Sequence, residues 1–352
     1  MVKSNPVLGI IGGGQLGIML ADAARKLKIK TIILSDDPKA PANKFCEEII
    51  ISEYDKLKNI EDFIRKVDVV TFEFENIPFK VLEYISKIKP VFPKPSINQI
   101  IQNRFTEKKF INNMGIKTTS YALIKNESDI LNNENLLPGL LKTCTLGYDG
   151  KGQYAVKNRE EIGKLEIVFD KEYVLEKKVD LKKEISVVIT RFLNNNFVIY
   201  EPIENFHVNQ MLSRSIIPAD IDKAIFAKAQ QYAKLIAEKL NYIGTMCVEY
   251  FIDEKNNLLV NEIAPRVHNS GHLTINTHNV SQFENHIRAV CNLEKKELKK
   301  FFNGEMINII SGEIKNYREK TYSKNEFFFD YLKSAIREKR KMGHLTIVKP
   351  KI

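Results

Sequence analysis

The sequence predicts an α/β protein whose first domain is a parallel sheet with helices on both faces. Three observations carry this. Short apolar runs alternate with segments of helical apolar spacing over residues 1–100. A glycine cluster separates the first run from the first helical segment. The chain has 352 residues, which suits two or three domains rather than one core.

The elements follow in order. Val7–Ile11 is a short apolar run, and Leu16–Leu27 has apolar residues at helical spacing. Lys30–Leu34, Ile49–Ile51 and Asp68–Phe74 read as further strands, with a helix over Ile60–Lys66. Pro90, Pro93 and Pro95 punctuate the end of this domain, placed at residues 1–102. Asn103–Met114 reads as a helix. Pro138–Thr143 and Gln153–Lys157 are strands around a glycine-rich loop. Strands are expected at Glu172–Val179, Glu184–Thr190 and Phe197–Pro202, then a long amphipathic helix over Asp220–Leu240. Thr245–Asp253 and Asn257–Ala264 form a hairpin, and Gln282–Asn292 a helix. The second domain is placed at 103–295, and a small basic one at 296–352.

Composition excludes several classes. A hydrophobic fraction of 43% with 28% charged residues is that of a globular chain, not a disordered one. No apolar run approaches a membrane span, and residues 1–14 lack the pattern of a secretory signal. The cysteines Cys46, Cys144, Cys247 and Cys291 are scattered with no CxxC, so a reducing cytoplasm is expected. Lys and Arg number 54 against 44 Asp and Glu, a net +10. Residues 295–352 hold fifteen basic and seven acidic side chains, or +8 of that excess. Such a tail suits nucleic acid, an anionic surface or a small phosphorylated ligand; a solvated lysine face is the plain alternative.

Four constellations can carry chemistry. Gly12-Gly13-Gly14-Gln15-Leu16-Gly17 satisfies GxGxxG, with Asp36 and Asp37 about twenty residues on. A dinucleotide enzyme keeps its phosphate turn and ribose acid there, but any tight strand-to-helix turn wants glycine. Gly147-Tyr148-Asp149-Gly150-Lys151-Gly152-Gln153 fails the Walker pattern because a strand follows. It can still fold over phosphates as a nest of N–H groups plus one Lys, with Lys142 nearby. In the hairpin, a four-residue loop over 254–257 sets Glu249 opposite Glu262, next to Asn261. Two facing carboxylates repel, so a hard cation such as Mg²⁺, or a shared proton, is implied. Last, Pro265-Arg266-Val267-His268-Asn269-Ser270-Gly271-His272 packs cationic and polar groups directly after Glu262. Arg266 suits a carboxylate-like anion.

The stretches GGGQLGIML, VVTFEFENIP, QNRFTEKKF, LLKTCTLGYDGKGQ, VNEIAPRVHNSGH, SQFENHIRAV and RKMGHLT, in this order, resemble the N5-carboxyaminoimidazole ribonucleotide synthases of the ATP-grasp superfamily. The resemblance implies a pre-ATP-grasp domain, an ATP-grasp fold with a mobile lid at about 115–180, and a small C-terminal domain. It implies carboxylation of 5-aminoimidazole ribonucleotide with ATP and bicarbonate through carboxyphosphate. Arg104, Lys142 and the loop Gly147–Gln153 become ATP-phosphate ligands, Glu176, Lys177, Lys178 and Val179 the adenine strand, Glu184 the ribose acceptor and His207 a further nucleotide contact. Glu249 and Glu262 become Mg²⁺ ligands beside Asn261, and Arg266 the bicarbonate anchor. Gln15, Leu16, Glu73, Tyr148, Asp149, Lys151, His268 and Asn269 line the ribonucleotide pocket, with Lys333 and Arg340 on its phosphate. His268 is also a candidate proton acceptor, and Lys151 a catalytic cation. A cytoplasmic homodimer is expected, binding neither nucleic acid nor membrane. Leu146, Leu273, Leu332 and the Arg337–Arg340 turn depart from the family pattern. The alternatives are another ATP-grasp carboxylate–amine ligase or a dinucleotide-dependent oxidoreductase.

Overall fold

The computed structural model describes residues 2–145, 147, 152–162, 167 and 169–351. The first sheet is built from β1 (Leu8–Ile11), α1 (Gln15–Lys26), β2 (Thr31–Ser35), β3 (Glu48–Ile51), α2 (Leu57–Lys66) and β4 (Val69–Phe72). Its order is β3-β2-β1-β4 and every pairing is parallel. The wholly apolar β1 is buried along its length because helices lie on both faces. On one side Leu8 and Ile10 pack with Ile18 and Met19 of α1. On the other Ile11 and Leu34 pack with Ile60, Phe63 and Ile64. Those last three sit at helical spacing in an otherwise charged α2, and each such burial stabilises by about 1.5–3 kcal/mol. Helices α3 (Phe79–Ser86) and α4 (Pro95–Ile101) lead out of the sheet.

Next comes α5 (Arg104–Asn113), started by Asn103, whose side chain accepts the Phe105 and Thr106 N–H groups. A second sheet follows: β5 (Tyr121–Ile124), α6 (Glu127–Asn132), β6 (Gly139–Thr143), β7 (Gln153–Val156), α7 (Arg159–Ile162) and β8 (Tyr173–Lys177). Its order is β5-β8-β6-β7, all antiparallel.

The remaining chain holds β9 (Leu181–Arg191), β10 (Phe197–Ile199), β11 (Ile203–Val208), β12 (Met211–Ile217), α8 (Lys223–Lys239), β13 (Gly244–Asp253), β14 (Leu258–Ala264), α9 (Thr274–Thr277), α10 (Gln282–Val290), β15 (Asn303–Ile310), α11 (Ile314–Glu319), β16 (Glu326–Asp330) and β17 (Lys341–Lys349). Nine of these strands form one sheet in the order β14-β13-β9-β11-β12-β15-β17-β16, with β10 on the flank of β9. The C-terminal strands therefore continue the central sheet through the β12–β15 pairing. Strands β5, β11 and β12 have no counterpart among the strands expected from the sequence. Among the described residues no helix is long and apolar enough to cross a membrane.

Candidate active site

The β13–β14 hairpin places Glu249 opposite Glu262. It reaches this pairing by another route than the four-residue loop expected. The loop is one residue longer, since Ile252 rather than Asp253 faces Leu258. A register shift at Glu249/Tyr250 then leaves Asn261 as the extra residue of a bulge. Helix α5 takes up backbone groups there. Glu107 accepts the Ile263 N–H at 2.6 Å, and Lys108 Nζ lies 3.5 Å from the Asn261 carbonyl. Each facing carboxylate has its own cation. Arg104 Nη1 donates to Glu262 at 2.9 Å, and His268 Nε2 lies 2.8 Å from Glu249. Buried Glu107 is pushed up to about 8, by burial first and then by the Glu262 charge.

Beside this pair lies a second charge cluster. Lys142 Nζ donates to Glu176 at 2.9 Å and Lys108 Nζ sits 3.3 Å from the same carboxylate. All three side chains are buried. Burial would raise Glu176, but the two ammonium groups outweigh it and hold it at about 2. The Glu176 side chain is thus engaged by lysines, and β8 is laddered on both edges. Of the expected adenine strand, Lys177, Lys178 and Val179 line a cleft of about 660 Å³ with Thr119, Tyr121 and Leu259. Arg104 also donates to the Gly147 carbonyl at 3.2 Å, tying the glycine loop to α5. Gln153 pairs with Lys142 across β6–β7, and Gly152 (φ +71°) closes that hairpin. Tyr148, Asp149, Gly150 and Lys151, like Leu146, lie outside the described residues. Glu184 and His207 meet each other, with Oε2 and Nδ1 2.7 Å apart, off the line of a hydrogen bond. Burial opposes His207's charge, but Glu184 raises it.

The glycine turn before α1 is already filled. Glu73, just past β4, accepts the Gly14 N–H at 2.5 Å and the Gly17 N–H at 2.6 Å. A Cβ on Gly12, which has φ +103°, would lie 2.3 Å from Glu73 Cγ. The glycines make room for a carboxylate of this chain, and the helix N-terminus binds it as it would a phosphate. Asp36 and Asp37 are engaged locally, by the Tyr54 hydroxyl and the Lys39 N–H. That geometry removes the dinucleotide reading. Gln15 opens α1, where its Oε1 accepts Lys333 Nζ at 2.7 Å; Leu16 beside it is buried.

Arg266 is gripped by Glu75, a residue the site expectation omitted. Nε donates to Glu75 Oε2, and Nη2 to Oε1 at 3.1 Å. Burial would raise Glu75, yet the guanidinium holds it below the ordinary carboxylate range. With Nη1 donating to the Val267 carbonyl at 3.1 Å, two of the five guanidinium N–H groups are not used by these bonds. His268 is raised to about 10: burial opposes its charge, but Cys247 and Glu249 outweigh it. Nδ1 lies 2.8 Å from Ser270 Oγ, which can accept the second proton of the charged ring. Nε2 faces Glu249, so a proton on that nitrogen is shared with the carboxylate. Asn269 exchanges two hydrogen bonds with Asn308, at 3.0 and 2.7 Å. Arg340 Nη1 donates to the Ala335 carbonyl at 3.0 Å.

Three models match consecutive parts of the chain: a ribonucleotide synthetase preATP-grasp domain at 6–102, an ATP-grasp domain at 109–283, and a phosphoribosylaminoimidazole carboxylase C-terminal domain at 305–352. The N5-carboxyaminoimidazole ribonucleotide synthase of Bacillus subtilis is 37% identical over 99% of this chain and 93% of its own. The chain belongs to the N5-carboxyaminoimidazole ribonucleotide synthase family. That of Brucella melitensis is 36% identical, covering 99% and 98%. A solved N5-carboxyaminoimidazole ribonucleotide synthetase in complex with ADP matches with a TM-score of 0.95 at 36% identity, covering 100% of this chain and 94% of that one. The Aspergillus clavatus synthase, in complex with ADP and 5-aminoimidazole ribonucleotide, matches at 0.91 and 27% identity, covering 98% and 94%.

Within this synthase family pattern, two departures keep a glycine-like backbone. Leu332 has φ +53° and Lys339 φ +56°, both left-handed. The turns that present Lys333 and Arg340 are therefore made without glycine. Glu75, Glu107 and Lys108 were legible only as neighbours of named residues. Glu75 is two residues beyond Glu73, and Glu107 and Lys108 lie one helical turn beyond Arg104.

Proposed function

We propose that this site activates bicarbonate with ATP and passes the carboxyl to an amine through carboxyphosphate. The protein is an ATP-grasp ligase that carboxylates 5-aminoimidazole ribonucleotide to N5-carboxyaminoimidazole ribonucleotide in purine biosynthesis. The observation that carries the finer reading is the meeting of Arg104, the Glu249/Glu262 pair and the Lys142–Glu176–Lys108 cluster, drawn from four separate segments: α5, β6, β8 and the β13–β14 hairpin.

Glu249 and Glu262 fit a magnesium ion. They are oxygen donors on paired residues of one sheet face, and their present partners are exchangeable cations. Bound there, the metal supplies positive charge to the phosphate oxygens. The chain's own residues do the rest. Lys142, fixed by Glu176, offsets charge on the transferring phosphoryl group. Arg104 binds phosphate while holding the glycine loop, and that loop shields carboxyphosphate from water. Glu75 pre-sets the Arg266 fork, whose remaining N–H groups receive bicarbonate. Val179 and its neighbours receive adenine, and Glu184 with His207 the ribose. Gln15, Glu73, Asn269, Lys333 and Arg340 form the ribonucleotide side. His268 orients Glu249. The scattered cysteines, free in the structure, support a cytoplasmic setting; a homodimer is expected from the family pattern.

The test is bicarbonate-dependent ADP release triggered by 5-aminoimidazole ribonucleotide. Release triggered by other amines or acids and not by this ribonucleotide would overturn the substrate reading.

A further inference from the structure

The string SQFENHIRAV has so far carried resemblance without a role. It forms α10, and two of its residues one turn apart, Gln282 and His286, are wholly buried. Gln282 Oε1 accepts the His268 N–H at 2.9 Å, and its Nε2 donates to the His268 carbonyl at 2.6 Å. A side-chain amide paired with both polar groups of one residue fixes that residue's orientation. Gly271 makes room for it, since a Cβ there would lie 2.7 Å from Gln282 Cδ.

His286 does the corresponding work between domains. Its Nδ1 accepts the Thr245 N–H at 3.0 Å, so its proton sits on Nε2, 2.7 Å from Thr71 Oγ1. Thr71 lies in β4, two residues before Glu73 and four before Glu75. Thr245 is the second residue of β13, four before Glu249. Thr245 Oγ1 also donates to the Gln282 carbonyl at 3.1 Å, which closes the set. Gly244, with φ +112°, makes room for the imidazole: a Cβ would lie 3.0 Å from His286 Cε1.

We infer that Gln282 and His286 are positioning residues for carboxyl transfer: from α10 they hold β4 with Glu73 and Glu75, β13 with Glu249, and the His268–Asn269 turn in one fixed relation. The inference rests on reading Glu73, Asn269 and Lys333 as the ribonucleotide side. Misplacing that side relative to the nucleotide leaves carboxyphosphate formed but unused, so it decays to bicarbonate and phosphate while ADP accumulates.

The test uses full-length Gln282→Met, Gln282→Glu and His286→Phe enzymes, with Lys333→Met as control. It measures KM for each substrate and ADP released per ribonucleotide consumed. The expected result is a ribonucleotide KM raised about tenfold, an ATP KM within about twofold, and an ADP ratio raised about threefold or more. Wild-type ratios and KM values in any variant that folds would overturn the inference. So would a lower kcat with both KM values and the ratio unchanged, the mark of a purely structural role. If none of the three variants folds cooperatively, the residues are structural and the inference is likewise overturned. If Lys333→Met leaves the ribonucleotide KM unchanged, the reading of that pocket fails instead.

Discussion

Glu249 and Glu262 face each other across the β13–β14 hairpin, yet each carboxylate is neutralised by a different cation, His268 and Arg104 respectively. The pair is therefore balanced by the chain's own cations. Removing the Glu262 charge leaves Arg104 its bond to the Gly147 carbonyl and removes one of the two proposed metal ligands. Glu262→Gln is expected to lower turnover by at least about a hundredfold while the protein unfolds at a similar temperature. Near-normal activity would refute the metal role.

The Glu75–Arg266 pair predicts a bicarbonate-specific defect. Charge-assisted bidentate contacts contribute about 1.5–3 kcal/mol, so Glu75→Gln should raise the bicarbonate KM by roughly tenfold or more. ATP and ribonucleotide KM values should change little. Equal effects on all three would show that Glu75 acts only on the fold.

Leu332 sits at φ +53° with 36% of its surface exposed. A left-handed non-glycine residue costs roughly 1–2 kcal/mol, partly returned as lower chain entropy. Leu332→Gly is thus expected to stabilise the protein by about 0.5–1 kcal/mol in urea unfolding. A clear loss of stability would show that the leucine side chain packs more strongly than its exposure indicates.

Acid should weaken the fold through buried histidines. Burial lowers His286 and His344 to about 3 and His278 to about 4, and holds His272 well below its ordinary value. Between those values and the unfolded value near 6.5, the unfolded chain binds more protons, so stability falls as pH drops through this window. His207 and His268 are raised and act in the opposite sense, adding stability as pH falls toward 6.5. Glu107, raised to about 8, also adds stability as pH falls and offsets the remaining loss between pH 7.5 and 5.5. The net loss is therefore expected between pH 5.5 and 4.5, where the two raised histidines no longer gain, and is on the order of 3 kcal/mol. Urea unfolding at these two pH values measures it, and equal or greater stability at pH 4.5 would contradict it.

The first sheet was legible in the sequence because its strands are short, apolar and buried on both faces, as in Leu8–Ile11. The hairpin pairing was legible for a reason that held only in part. A longer loop and the Asn261 bulge offset each other. Neither has a local signal, because Glu107 and Lys108 meet the bulge from α5, more than 150 residues earlier. The glycine turn could be seen, but its occupant could not: Glu73 reaches Gly14 and Gly17 from 59 and 56 residues away. β11 and β12 were missed because polar residues such as His207 and Arg214 interrupt their apolar pattern.

The claim that ATP activates bicarbonate at this site is tested most directly with ¹⁸O-labelled bicarbonate. Attack on the γ-phosphate makes a P–O bond to a bicarbonate oxygen, and carboxyl transfer then breaks the C–O bond. One labelled oxygen should appear in each inorganic phosphate formed with 5-aminoimidazole ribonucleotide. Unlabelled phosphate during full turnover would contradict it.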